Sequence, residues 1–150
     1  MKKIKLVCAG KIKEKFITDG IEHYAKRLSR FCDFCVEEVA DYPDDENAAA
    51  KESEAIKKKL SGYTVLFDIG GETVSSEKFA EIIDRAYLAG NDTVTFIIGG
   101  SHGVSNELKT AANKNVSFGR VTYPHRLMRL IATEQIYRAF TILSGMPYHK

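Results

Sequence analysis

The chain has no tryptophan, only three prolines and three cysteines, and no apolar run near the roughly 18 residues of a membrane span. The missing apolar run excludes a helical membrane protein. The cysteines, Cys8, Cys32 and Cys35, are odd in number, which argues against a disulfide framework. Cys32 and Cys35 form a C-x-x-C, but no second ligand pair at zinc spacing accompanies them, so no metal site is expected. The pair leads into the strand-like Val36-Glu37-Glu38-Val39 and not into a helix, so it reads as ordinary thiols beside a strand. No glycine loop is followed by Lys-Ser/Thr, and none has G-x-G-x-x-G spacing. This argues against phosphate-loop NTPases and dinucleotide oxidoreductases. The opening Met1-Lys2-Lys3-Ile4-Lys5 holds no apolar secretion region, and a cytoplasmic location is expected.

What is present is one domain's worth of chain, 150 residues with the apolar and charged balance of an ordinary soluble protein. The net charge of +2 hides a pattern: residues 1–30 carry +6 and 100–150 carry +5, while 31–60 carry −5 and 61–99 carry −4. Basic ends around an acidic middle suit a protein that meets a polyanion with one face. They also suit lysines that merely solvate helix faces.

Strand-like and helix-like patterns alternate throughout. Ile4–Ala9 is a short apolar run closed by Gly10, hence a strand. Phe16/Ile17, Ile21, Tyr24, Leu28 and Phe31 recur at helical spacing. Phe34–Ala40 reads as a second strand, stopped by Asp41-Tyr42-Pro43-Asp44-Asp45. A helix runs through Ala48, Ala55, Ile56 and Leu60 to Ser61-Gly62. Tyr63–Ile69 is a third strand, after which Gly70-Gly71 is expected to turn the chain. Ser75 and Glu77 mark a helix entry, and Gly90 its end. Thr93–Ile98 and Val116–Val121 are further strands, with a short helix from Ser105 between them. Pro124 opens a long final helix to about Ser144. Five strands alternating with helices predict a single α/β domain, residues 1–150, with a largely parallel sheet covered on both faces.

In such sheets ligands bind at the carboxyl ends of strands. Three loops fall there: Gly70-Gly71, Gly99 to Gly103, and Gly119 to Pro124. Glycines at 99, 100 and 103 permit positive φ and close approach of backbone to a ligand, as they would in a plain tight turn. The last third gathers polar groups in Pro124-His125-Arg126-Leu127-Met128-Arg129. Glu134 and Arg138, four apart, can pair on one helix face, which is also an ordinary surface arrangement. Pro147-Tyr148-His149-Lys150 ends the chain with an aromatic ring, an imidazole and a cation, the kinds of group against which RNA bases stack and bond.

Four segments, in order, carry a resemblance over the whole chain. They are Leu66-Phe67-Asp68-Ile69-Gly70-Gly71 with Ser75–Ala80, then Phe96-Ile97-Ile98-Gly99-Gly100-Ser101-His102-Gly103. The third is Thr122–Arg129 continuing to Glu134–Ala139, and the fourth is Pro147-Tyr148-His149-Lys150. Together they resemble the ribosomal RNA large-subunit methyltransferase H family, a minimal branch of the knotted SPOUT methyltransferases. The departures are Phe67, where a leucine is common, and Gly119-Arg120, where serine plus a small residue is common.

The resemblance implies a C-terminal trefoil knot and S-adenosylmethionine as cofactor. It implies that Phe67, Gly100, Gly119, Arg120, Val121, Thr122, Tyr123 and Pro124 surround that cofactor. It implies methylation of N3 of a pseudouridine in large-subunit ribosomal RNA, on the ribosome, without a metal and by a homodimer. Glu134, Arg138, Tyr148 and His149 are then the catalytic candidates. Arg138 would stabilise charge on the base, His149 is the one of the four whose unperturbed pKa lies near neutrality, Glu134 would orient Arg138 or take the proton, and Tyr148 would stack. Rival expectations are a SPOUT enzyme for another RNA such as tRNA, and a non-catalytic RNA-binding assembly factor.

Overall fold

A computed structural model describes residues 1–43 and 47–149, and of residue 149 the backbone alone. The expected stop at Asp44-Asp45 and the terminal Lys150 lie outside the described residues. In chain order the elements are β1 (Lys3–Ala9), α1 (Lys15–Leu28), β2 (Asp33–Val39), α2 (Ala48–Lys57), β3 (Tyr63–Thr73), α3 (Ser76–Leu88), β4 (Thr93–Ile98), α4 (Asn106–Ala111), β5 (Lys114–Ser117) and α5 (His125–Leu143). A 3-10 turn, Pro147–His149, ends the chain.

The strands form one sheet in the order β2-β1-β4-β3-β5, parallel at every pairing. The connections β1→β2 and β3→β4 step one way along it, and β2→β3 and β4→β5 step the other way. A single crossover handedness therefore puts α1 and α3 on one face and α2 and α4 on the other. The packing agrees. Ile4, Leu6 and Cys8 of β1 join Leu28, Phe79, Ile83 and Ile136 in one cluster. Val7 and Ala9, their alternate neighbours, join Ile56 and Leu108 in the second.

The last helix completes the first face by lying between α1 and α3, where Ala132, Ile136 and Phe140 enter the core. To get there from β5 at the sheet's edge, residues 118–124 run back across the carboxyl ends of β3 and β4. That course is compatible with threading. Arg129, fully buried, fastens α5 to β1. Its Nη2 donates to the carbonyls of Ala9 and Gly10, both at 2.7 Å, and its Nη1 to Glu38 Oε2 at 2.8 Å.

Three expectations are corrected. The third strand does not end at Ile69 but runs to Thr73, and because Phe67 and Glu72 both pair with Val116, residues 68–71 loop out of the ladder around Gly70-Gly71 before β3 resumes. Glycine is required at 71 because a Cβ there would stand 2.6 Å from the backbone carbon of Asn115 in β5. The fifth strand is Lys114–Ser117, not 116–121, and Gly119 at φ +118° ends the extended run. Phe16 is not in the core stripe of α1 but 66% exposed.

Candidate active site

A cavity of about 250 Å³ opens at the carboxyl ends of β3, β4 and β5. Three loops wall it: Phe67-Asp68-Ile69, Gly99 to Val104, and Phe118 to Tyr123, with His125 and Met128 from the first turn of α5. Phe67 and Phe118, with ring centres 5.0 Å apart, make its aromatic side together with Ile98, Val116 and Met128. At Gly103 and Gly119 the backbone has positive φ and a Cβ would meet nothing within 4 Å, so the main chain lies bare there. A flat apolar slot edged by backbone amides and carbonyls suits a purine ring. Asp68 and Lys109, 4.0 Å apart, add a charged pair to the wall.

Of the residues expected around a cofactor, Phe67, Gly100, Gly119, Val121, Thr122 and Tyr123 line this cavity. Arg120 and Pro124 do not. Arg120 is exposed, and Pro124 is the N-cap of α5. Sequence reasoning missed Phe118, one residue before the run it chose. The alternation Val116, Phe118 was the available signal, but it read as plain strand. It also noted His125 only as a basic group, not as cavity wall. Burial, then the charges of Arg129 and Arg126, hold the His125 imidazole below its ordinary value of 6.5.

The catalytic candidates form a second cluster. Glu134 Oε2 accepts from Arg138 Nη2 at 2.9 Å and from the Tyr148 hydroxyl at 2.8 Å, while its Oε1 accepts from Gln135 Nε2 at 2.9 Å. The Arg138 guanidinium lies 5.1 Å from the Tyr148 ring centre. Arg27 of α1 reaches the rings of Tyr137 and Tyr148, at 5.1 and 5.8 Å. Burial, and then the hydrogen bond to Glu134, push the Tyr148 hydroxyl well above its usual range. The tail is thus tied down: the Tyr148 ring sits edge-on to Tyr137 at 4.8 Å. The side chain of His149 lies outside the described residues.

Neither Glu134, Arg138 nor Tyr148 lines the cavity. Along α5, Glu134 stands roughly 9 Å and Arg138 roughly 15 Å beyond Met128, and neither shares its side of the helix. Large apolar side chains instead stand exposed at the cavity, Val121 at 68% and Ile69 at 59%. Phe16 belongs to the same end, because Glu14, two residues before it, pairs with Arg126 at 3.1 Å.

The remaining sequence features stay simple. Cys32 is buried and its thiol is pushed up to about 12 by that burial, whereas Cys35 is exposed on β2; both are free. Among the described residues no His/Cys/Asp/Glu group is arranged to hold a metal, and no helix is long and apolar enough to cross a membrane.

A family model described as "Predicted SPOUT methyltransferase" matches residues 1–149. Proteins from Streptococcus pyogenes serotype M49 (strain NZ131) and serotype M3 (strain ATCC BAA-595 / MGAS315), each named ribosomal RNA large subunit methyltransferase H, are 46% identical over 99% of this chain and 99% of their own. Among solved structures, a probable methyltransferase from Bordetella pertussis Tohama I superposes with a TM-score of 0.56 at 12% identity, over 92% of this chain and 96% of that one. A probable methylase family protein from Haemophilus influenzae Rd KW20 gives 0.51 at 12%, over 99% and 70%. These two speak for the fold alone. By sequence over its full length and by its five-stranded parallel architecture, the chain belongs to the SPOUT methyltransferases, in the ribosomal RNA large subunit methyltransferase H family.

Proposed function

We propose that the protein transfers the methyl group of S-adenosylmethionine to N3 of a pseudouridine in large-subunit ribosomal RNA, on the assembled ribosome in the cytoplasm and as a homodimer. The observation that carries this reading is the cavity at the strand ends, whose aromatic slot and bare backbone fit an adenosyl group. The names of the relatives supply the RNA class, and the resemblance supplies the nucleoside and the knotted path of residues 118–124. When bound, S-adenosylmethionine supplies an electrophilic methyl group on a sulfonium.

The chain's own residues have three tasks. The first is holding. Phe67, Phe118 and Met128 grip a flat ring, while the main chain at Gly100 and from Gly119 to Tyr123 meets its polar edges. The second is alignment of an incoming base, which accounts for most of the rate in such a transfer. The third is the N3 proton. Arg138, held in place by Glu134, stabilises negative charge on the base carbonyls as the proton leaves. With three donors on its carboxylate, Glu134 suits that orienting task better than proton acceptance. The N3 proton goes to His149, histidine being the residue type suited to proton exchange at neutral pH.

The distance between cavity and cluster on one chain supports a composite site. One protomer brings the cavity and its partner brings Arg138 and the tail, across the apolar surface of Phe16, Ile69 and Val121. The test offers recombinant protein with labelled S-adenosylmethionine to ribosomes, free ribosomal RNA and tRNA, and maps the product at nucleotide resolution. Label at one large-subunit pseudouridine is expected. Label in tRNA alone, or none in any RNA despite bound cofactor, would refute the reading.

A further inference from the structure

Glu52 of α2 is 1% exposed. Its Oε2 accepts the backbone N–H of Tyr42 at 2.9 Å. Its Oε1 has no hydrogen-bond partner among the described residues and faces Gly100, where a Cβ would stand 2.7 Å away. Gly100 in turn lines the cavity. A buried carboxylate oxygen without a donor costs free energy, and a glutamine or methionine would fill the same space at lower cost. Folding alone therefore gives no reason for a glutamate at this position.

Several charged groups around it have partners of their own. Asp68 and Lys109 offset each other in the wall. Arg129 is committed to Glu38 and to the end of β1, and Arg126 to Glu14. His125 is lowered by burial and by Arg129 and Arg126, against which the Glu52 charge acts in the opposite direction. Lys51 and Asp41 lie at the exposed surface, where water screens them. Among the described residues, the Glu52 Oε1 atom is left without a hydrogen-bond donor behind the glycine loop.

In a site that excludes water, such a charge acts across several ångströms. The methyl donor carries one more positive charge than the thioether that remains after transfer. We propose that Glu52 is a specificity residue, whose buried charge favours the cationic donor over the neutral product and so speeds exchange of product for fresh donor. The proposal rests on the S-adenosylmethionine reading above.

Calorimetry on the full-length protein tests it with two ligands, S-adenosylmethionine and S-adenosylhomocysteine. For Glu52→Gln the affinity for S-adenosylmethionine should fall about tenfold, while that for S-adenosylhomocysteine stays within about twofold. Glu52→Met provides a second uncharged variant should the first fail to fold, and thermal melting confirms that each variant is folded. An equal loss for both ligands would make Glu52 a purely structural support and overturn the proposal, as would no change for either. If the wild-type protein binds neither ligand, the cofactor reading itself fails.

Discussion

His125 couples the acidity of the medium to the cavity. Its folded-state value lies below the ordinary 6.5, because burial and the neighbouring Arg129 and Arg126 disfavour the imidazolium. The unfolded chain therefore takes up this proton more readily than the folded one. The stability that His125 contributes is present above pH 6.5 and is lost as the pH falls from there through the folded value. Protonation also sets a cation in the wall, opposed to a cationic ligand. His125→Gln should therefore flatten the decline in melting temperature and in donor affinity between about pH 7.5 and 5.5. Parallel wild-type and variant curves would count against this role. Single residues were unevenly legible in the sequence. Gly100 was readable as a close approach, but the atom nearest to it, Glu52 Oε1, belongs to a residue 48 positions earlier and becomes visible only once α2 is packed. Gly71 was readable as a break in the strand, but what restricts it is the backbone of Asn115, on another strand.

The elements themselves were nearly all legible, because local signals and tertiary packing agree. The side chain of Ser75 accepts from the Lys78 N–H, and that of Ser105 from the Leu108 N–H, as their capping positions imply. The disagreement falls at β5. There an extended, alternating sequence leaves the sheet after Ser117 to wall a cavity, and periodicity does not distinguish the two uses. Within α5, Arg129 does at element scale what no pattern announced. It is a cation on a core-facing position, with its guanidinium bonded to two main-chain carbonyls and a carboxylate. Arg129→Ala would leave those acceptors without their donor, at a cost of about 3–5 kcal/mol. The expected drop in melting temperature is about 10 °C, whereas Arg126→Ala, which removes a half-exposed pair, should cost about 1 kcal/mol or less. Similar melting temperatures for the two variants would show that α5 is not anchored through Arg129.

At the scale of the whole molecule, the chain divides its polar chemistry between two ends of one helix. The cavity meets the first turn of α5, and the Glu134–Arg138–Tyr148 cluster lies two to four turns on. A site completed across a two-fold axis predicts complementation. Gly100→Val should abolish donor binding and Arg138→Ala should abolish turnover, each alone. Co-refolded together, half the dimers are mixed, and each mixed dimer has one intact site, so about a quarter of wild-type activity should return. No recovery in verified mixed dimers would place the whole reaction within one chain. The sequence suggested this division only through the resemblance, since nothing in a single chain's pattern states which surface a second copy covers.

The position of α5 also bears on how the protein is made. The middle of one sheet face, over Ile4, Leu6 and Phe96, is roofed by Ala132, Ile136 and Phe140, which come from the last fifth of the chain. A polypeptide growing from its amino end cannot close that roof until α5 has been made. The strands made first must wait, sticky and half-covered, for that helix. Messages cut short before α5 would thus yield an aggregation-prone product, not a slightly weaker enzyme.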